Sequence, residues 1–327
     1  MRDINFLMTA YNCENSIESA IEKCIEGFVF AKKIKPHLVI VDDGSTDRTP
    51  ELLQKSVEKF GNQSISFKRT ENFGSASARN TLLEMCKSEF VFFMDSDDLV
   101  MSDKVLLELE ILCDEPFDLI QGQWSELNYE TGKSSLSKKT ESGFTYINLM
   151  DPREKNQIFS EKGFWRYIYR TEFIKKNQVI FLPTFKDVRG FYILDDYYFL
   201  LYLLSLNPKF IRSGTIYYKY DFKNEGFDSR YLNQIRKEFI ATKIMRGIID
   251  KHKKMDLIFV NKVILDRLIY CFYSTYKINS FRNNLFFLGE ICIWIKLNKK
   301  DYIRNLLRLF KCLFYLVINQ ISKLKFP

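Results

Sequence analysis

Short apolar runs alternate with helically spaced apolar residues over residues 1–125. Ile4–Met8 is an apolar run of strand length, and Glu14–Phe28 repeats Ile17, Ala20, Ile21, Cys24 and Ile25 with helical spacing. His37–Val41 is β-branched and apolar and runs into Asp42-Asp43-Gly44. Thr49–Phe60 reads as a helix with Thr49 as N-cap and Pro50 in its first turn. Ile65–Arg69, Phe90–Met94 and Asp118–Gln123 are further strands, and Ser75–Cys86 and Asp103–Leu112 further helices. This alternation predicts a parallel sheet with helices on both faces, whose ligands sit beyond the carboxyl ends of the strands.

The pattern then changes. Residues 124–160 are polar and rich in Ser, Thr and Lys, which predicts a hairpin and a loop. Phe164–Lys176 predicts a short strand and a helix, Asp195–Leu206 a helix of aromatic and leucine residues, and Phe210–Tyr220 an aromatic strand. From Tyr231 onward the strong patterns are helical. The expected division is a domain over 1–224, with halves 1–125 and 126–224, and a helical region over 225–327.

Charge sharpens that division. The chain carries +8 overall, but residues 231–327 carry +13 and residues 1–230 carry −5. An acidic front suits a site that holds a cation, and a basic, aromatic tail suits an anionic surface. The seven cysteines are scattered without a C-x-x-C pair and read as small buried hydrophobes in a reducing compartment. With only His37 and His252, a His-based zinc site or a Ser-His-Asp triad is not expected. Neither a secretory apolar core at the start nor an uninterrupted apolar stretch of spanning length is seen, so the expectation is a cytoplasmic protein.

Three strands end in chemically loaded turns. Met8-Thr9-Ala10-Tyr11-Asn12 offers a hydroxyl and a phenol able to hold a planar heterocycle, or else a plain cap through Asn12. Asp42-Asp43-Gly44-Ser45-Thr46-Asp47 offers carboxylates that accept from a base N–H or ribose hydroxyls, with a solvated turn as the equal alternative. Asp95-Ser96-Asp97-Asp98 delivers carboxylates at i and i+2, which together reach one hard cation; Mg²⁺ or Mn²⁺ then completes its shell with phosphate oxygens and water. A helix N-cap would explain one of these acids but not the cluster. Asp195-Asp196 opens an apolar helix, where the helix dipole favours a carboxylate and where Asp196 is placed to act as a general base.

These motifs, with Asn72-Phe73-Gly74-Ser75-Ala76-Ser77-Ala78-Arg79-Asn80 between them, resemble the family 2 glycosyltransferases from Leu7 to about Tyr220. The resemblance implies a GT-A fold, a Rossmann-like mixed sheet with helices on both faces, a UDP-sugar donor and inversion at the anomeric carbon. By position it implies that Thr9, Tyr11 and Asp43 contact the uracil with Asp42 close by. It further puts Asp95 near the ribose or sugar, Asp97 on the metal, Arg79 near the nucleotide-sugar and Asp196 as the base. Trp165 and Arg170 match the segment that lines the acceptor side. Thr9 stands where many members have Pro, and the Q-x-x-R-W signature of processive polymerases is absent, which favours single-sugar addition to a saccharide or lipid-linked acceptor.

Leu306–Ile321 contains only Arg308 and Lys311 as charges, so Tyr302–Leu324 suits a helix lying in an anionic membrane interface at the inner face of the cytoplasmic membrane. A helical cap or dimer contact would use the same aromatics. No nucleic-acid module is legible. A nucleotidyltransferase would need a Gly-rich basic phosphate loop near the first strand, and none is seen; a non-catalytic scaffold in polysaccharide assembly is the other alternative.

Overall fold

The computed structural model describes residues 1–127, 134–136, 143–161, 163–181 and 195–221, together with Val260 and Val263. The chain divides into two compact units, Met1–Glu225 and Gly226–Pro327. The tail segment Tyr302–Leu324 lies outside the described residues.

In the first unit, β1 (Arg2–Ala10), β2 (Ile34–Asp42), β3 (Ile65–Arg69) and β4 (Phe90–Asp95) form a parallel run in the order β3-β2-β1-β4. Helices α1 (Ile17–Glu26), α2 (Thr49–Phe60) and α3 (Ser75–Met85) connect them. The apolar spacing read in the sequence is the buried face of α1: Ile17, Ala20, Ile21 and Cys24 are all covered.

Beyond β4 the sheet becomes mixed. After β5 (Leu99–Val100) and α4 (Ser102–Leu112), strand β6 (Leu119–Leu127) does not extend the parallel run. A later strand, β9 (Tyr167–Arg170), lies between β4 and β6 and is antiparallel to both. The reason is long-range: the Arg170 backbone N–H donates to Asp118 O and the Thr171 N–H donates to Glu89 O, so the end of β9 is tied to the chain before each neighbour. On the far side of β6, β10 (Phe210–Asp221) pairs parallel to it, and the short β5 and β8 (Phe144–Ile147) pair antiparallel to β10, while β7 (Ser134–Leu136) forms a hairpin with β6.

Both faces of the sheet are packed. Phe90, Phe92 and Met94 join one core with Ile17 and Ile21 of α1 and Val105, Leu106 and Leu109 of α4. Phe93, one pleat away, meets Phe164, Tyr169, Phe181 and Phe199 at centroid distances of 5.3–5.8 Å. Burying each such ring contributes about 1.5–3 kcal/mol.

The polar stretch expected to be hairpin and loop also contains a helix, α5 (Pro152–Ser160). Its start is conventional: Asp151 caps Arg153 N at 2.8 Å and Pro152 occupies the first turn. Its buried face has few apolar members, Ile158 and Phe159 beside a buried Lys155 that donates to Asn207, so periodicity does not reveal it. Helices α6 (Thr171–Lys176) and α7 (Asp195–Ser205) complete the unit.

Candidate functional site

The parallel register brings three strand ends level. Thr9 stands opposite both Val41 and Asp95, and Ala10 opposite Asp42. The three loaded turns therefore open at one rim, around a cleft of roughly 880 Å³. Thr9, Tyr11, Asp43, Arg79, Asp95 and Asp97 all line it. Tyr11 and Asp97 are exposed, whereas Asp43 is buried.

The turns after β1 and β2 are stitched to each other. Asn12, at φ 47°, accepts at Oδ1 from Thr46 N at 2.8 Å, and its own N–H donates to Ser45 Oγ at 2.9 Å. Cys13 N donates to Thr49 Oγ1 at 2.9 Å, and Glu14 N donates to Asp47 Oδ2 at 3.1 Å. Thr49 is thus not the N-cap expected from the sequence. Its hydroxyl turns to the β1 loop, and Asp47 Oδ1 takes the Thr49 N–H at 2.9 Å instead. Gly44 is required here: at φ +73°, an added Cβ would fall 2.8 Å from Asn72 N.

Asp42 and Asp43 part company at this point. Asp43 aims its carboxylate at the start of α3, accepting from Phe73 N at 3.0 Å and Gly74 N at 2.9 Å. Burial pushes the Asp43 carboxyl up, the two backbone N–H groups pull it down, and the Asp42 charge adds to the rise, with a net upward shift. Asp42 is fully buried and does not line the cleft. Its Oδ1 accepts from both the N–H and the hydroxyl of Ser45, and its Oδ2 lies 3.3 Å from Arg69 Nε without a well-aligned hydrogen bond. Asp42 thus lies buried under the turn, next to Asp43 but off the cleft lining.

The turn after β4 presents its acids differently. Asp95 Oδ1 receives Arg79 Nη2 at 3.1 Å, and the guanidinium lies over the Phe164 ring at 4.5 Å. Asp98 is buried and accepts from the Tyr218 phenol at 2.8 Å. The start of α3, with Gly74, Ser75 and Ala78 on the cleft wall, points its N-terminal dipole toward the same space.

The two residues expected on the acceptor side, Trp165 and Arg170, lie apart from the cleft lining. Arg170 pairs with Phe90, at the opposite end of β4 from Asp95. It donates to Glu89 Oε1 at 2.8 Å and to Phe117 O at 2.9 Å, and its guanidinium lies over Phe90 and Phe117, so it is a structural tie. Trp165 is half-buried, outside the cleft lining, with its ring stacked on Tyr218 at 4.2 Å. Asp196 stands in the first turn of α7, and its side chain lies outside the described residues. Tyr218 was missed altogether, because a phenol in an aromatic strand carries no signal of what its oxygen meets.

A Haemophilus influenzae protein described as an uncharacterized glycosyltransferase is 27% identical over 147 residues, 45% of this chain and 56% of its own length. The poly(ribitol-phosphate) beta-N-acetylglucosaminyltransferase TarS of Staphylococcus aureus is 26% identical over 226 residues, 69% of this chain and 36% of its own. The chain thus spans little more than half, or less, of these relatives' lengths. The crystal structure of S. aureus TarS 1–349 with UDP-GlcNAc shares the fold at TM-score 0.67 and 18% identity, over 98% of this chain and 89% of that one. The family model for glycosyl transferase family 2 matches residues 6–176, and the chain belongs to that family.

Proposed function

We propose that this chain transfers a single sugar, with inversion, from a UDP-sugar to a hydroxyl of a saccharide or lipid-linked acceptor in surface polysaccharide synthesis. The observation that carries this reading is the level rim: Thr9, Tyr11, Asp43, Arg79, Asp95 and Asp97 around one cleft at the carboxyl ends of parallel strands. Thr9, Tyr11 and Asp43 form the wall proposed to hold the uracil. Arg79 and the N-terminal end of α3 supply positive potential for the diphosphate.

The acidic turn fits a hard divalent cation, Mn²⁺ or Mg²⁺. Asp97 is exposed at the cleft, and Asp95 lies two residues before it with its carboxylate shared by Arg79. Among the described residues no group of three acidic, Cys or His ligands forms, so phosphate oxygens and water would complete the shell. Bound there, the cation would offset the charge of the leaving diphosphate. Asp196 takes the proton of the acceptor hydroxyl as that oxygen bonds to the anomeric carbon. The bond from that carbon to the UDP oxygen breaks, and UDP leaves with the electron pair.

The test uses the full chain with Mn²⁺ and a panel of UDP-sugars, with UDP-N-acetylglucosamine, the ligand of the TarS fragment, tried first. UDP release and its loss in Asp196→Ala support the reading. Failure of the native chain to bind or turn over any UDP-sugar would sink it. Residues 225–327 are proposed as a peripheral membrane attachment; sedimentation with phosphatidylglycerol vesicles but not phosphatidylcholine vesicles is the expected result.

A further inference from the structure

We infer that Tyr218, far from the acidic turn in sequence, is the positioning residue that holds Asp95 and Asp97 at the cleft. The inference rests on the proposed function for its consequence but not for its geometry. The Tyr218 ring is buried, and its oxygen makes two hydrogen bonds to one turn. It accepts the Asp95 backbone N–H at 3.1 Å and donates to Asp98 Oδ2 at 2.8 Å. The phenol thus joins the first and last residues of Asp95-Ser96-Asp97-Asp98.

The backbone of β10 secures the far side. Tyr218 stands opposite Val100 of β5, and Met101 N donates to Tyr217 O at 2.8 Å. By contrast the turn's own closing bond, Asp98 N to Asp95 O, is long at 3.5 Å. An acidic turn with weak internal closure needs an external fastener, because its carboxylates repel one another. Trp165 stacked on the Tyr218 ring fixes the phenol's direction. One carboxylate oxygen of Asp98 is thus held by the phenol, at a turn whose Asp95, Asp97 and Asp98 all line the cleft.

A neighbouring residue supplies the control. Tyr217 is equally buried, but its ring seats against Gly122 and its phenol donates to Glu108 Oε2 on α4 at 2.7 Å, outside the cleft lining. Tyr217→Phe and Tyr218→Phe each remove one buried hydroxyl and keep the ring.

The experiment compares the full chain with Tyr218→Phe, Tyr217→Phe, Asp98→Asn and Asp98→Ala. Hydrogen exchange of the ligand-free protein reads the turn directly, and calorimetry reads Mn²⁺·UDP binding. Tyr218→Phe and Asp98→Ala should speed exchange over residues 95–99 and weaken Mn²⁺·UDP binding about tenfold, the worth of a buried hydrogen bond to a charged group. Asp98→Asn, which keeps an acceptor for the phenol, should restore most of both. Tyr217→Phe should lower the melting temperature and change neither. Unchanged exchange over 95–99 in Tyr218→Phe overturns the inference, as does an equal effect from Tyr217→Phe. A native chain that binds no UDP refutes the proposed function instead, and the exchange result still decides the role of Tyr218.

Discussion

The turns after β2 and β4 look alike in sequence, as apolar strands ending in clustered acids, yet the structure uses them in opposite ways. In the first, Asp42 folds back onto Ser45, Asp47 caps Thr49 and Glu14, and Asp43 grips the backbone at the start of α3. Those acids fasten three loops into one rigid wall. In the second, Asp98 is taken by a phenol from β10, while Asp97 stays exposed and Asp95 shares its charge with Arg79. What separates a scaffold acid such as Asp42 from a cleft acid such as Asp97 is burial under the turn, not its place at a strand end.

The largest effect should come from the second turn. Asp97→Ala is expected to reduce Mn²⁺-dependent UDP release by on the order of 100-fold or more, since the cation's charge stabilisation amounts to several kcal/mol. Because Asp97 is exposed, the melting temperature should hold. A melting temperature that collapses with Asp97→Ala would place this acid with the scaffold and erase the contrast.

Asp42→Ala should do the reverse. It strips two hydrogen bonds from a fully buried carboxylate and should cost about 3 kcal/mol, read by denaturant unfolding. The folded fraction should retain its affinity for UDP. A stable Asp42→Ala protein that no longer binds UDP would return this residue to the nucleotide.

Arg170→Ala extends the test to the far end of β4. Loss of the Glu89 and Phe117 bonds should cost about 2 kcal/mol, with the acceptor KM unchanged. A raised KM at unaltered stability would restore its place on the acceptor side.

The smallest effect is in pH dependence, and its sign differs within one turn. Asp43, held above its ordinary value chiefly by burial, binds its proton more tightly when folded, so its contribution to stability grows as pH falls. Asp47 is the opposite. Burial pushes it up, but hydrogen bonds from Thr49 and Glu14 outweigh this and hold it low, so its contribution is lost as pH falls. Asp43→Asn should therefore steepen acid unfolding, and Asp47→Asn should flatten it. Matching slopes for the two variants would break the distinction.

Much of the first half was legible because its order is local. The strands Ile65–Arg69 and Phe90–Asp95 and the buried face of α1 follow from apolar spacing, and a run of such units dictates a parallel sheet with its loaded turns at one rim. The second half was less legible. Strand β9 is four residues long, and nothing local says that it lies between β4 and β6. Helix α5 hides behind a buried lysine.

The residue types at the strand ends, and the family they mark, were thus determined by the chain itself, since period and turn chemistry act over a few neighbours. Which donors hold each acid was decided only by tertiary structure. Ser45, Phe73, Gly74 and Tyr218 supply the donors that claim Asp42, Asp43 and Asp98, and Tyr218 arrives from a strand more than a hundred residues away. A carboxylate's role depends on the hydrogen-bond donors that folding brings to it, and that pairing is a property of the packed sheet.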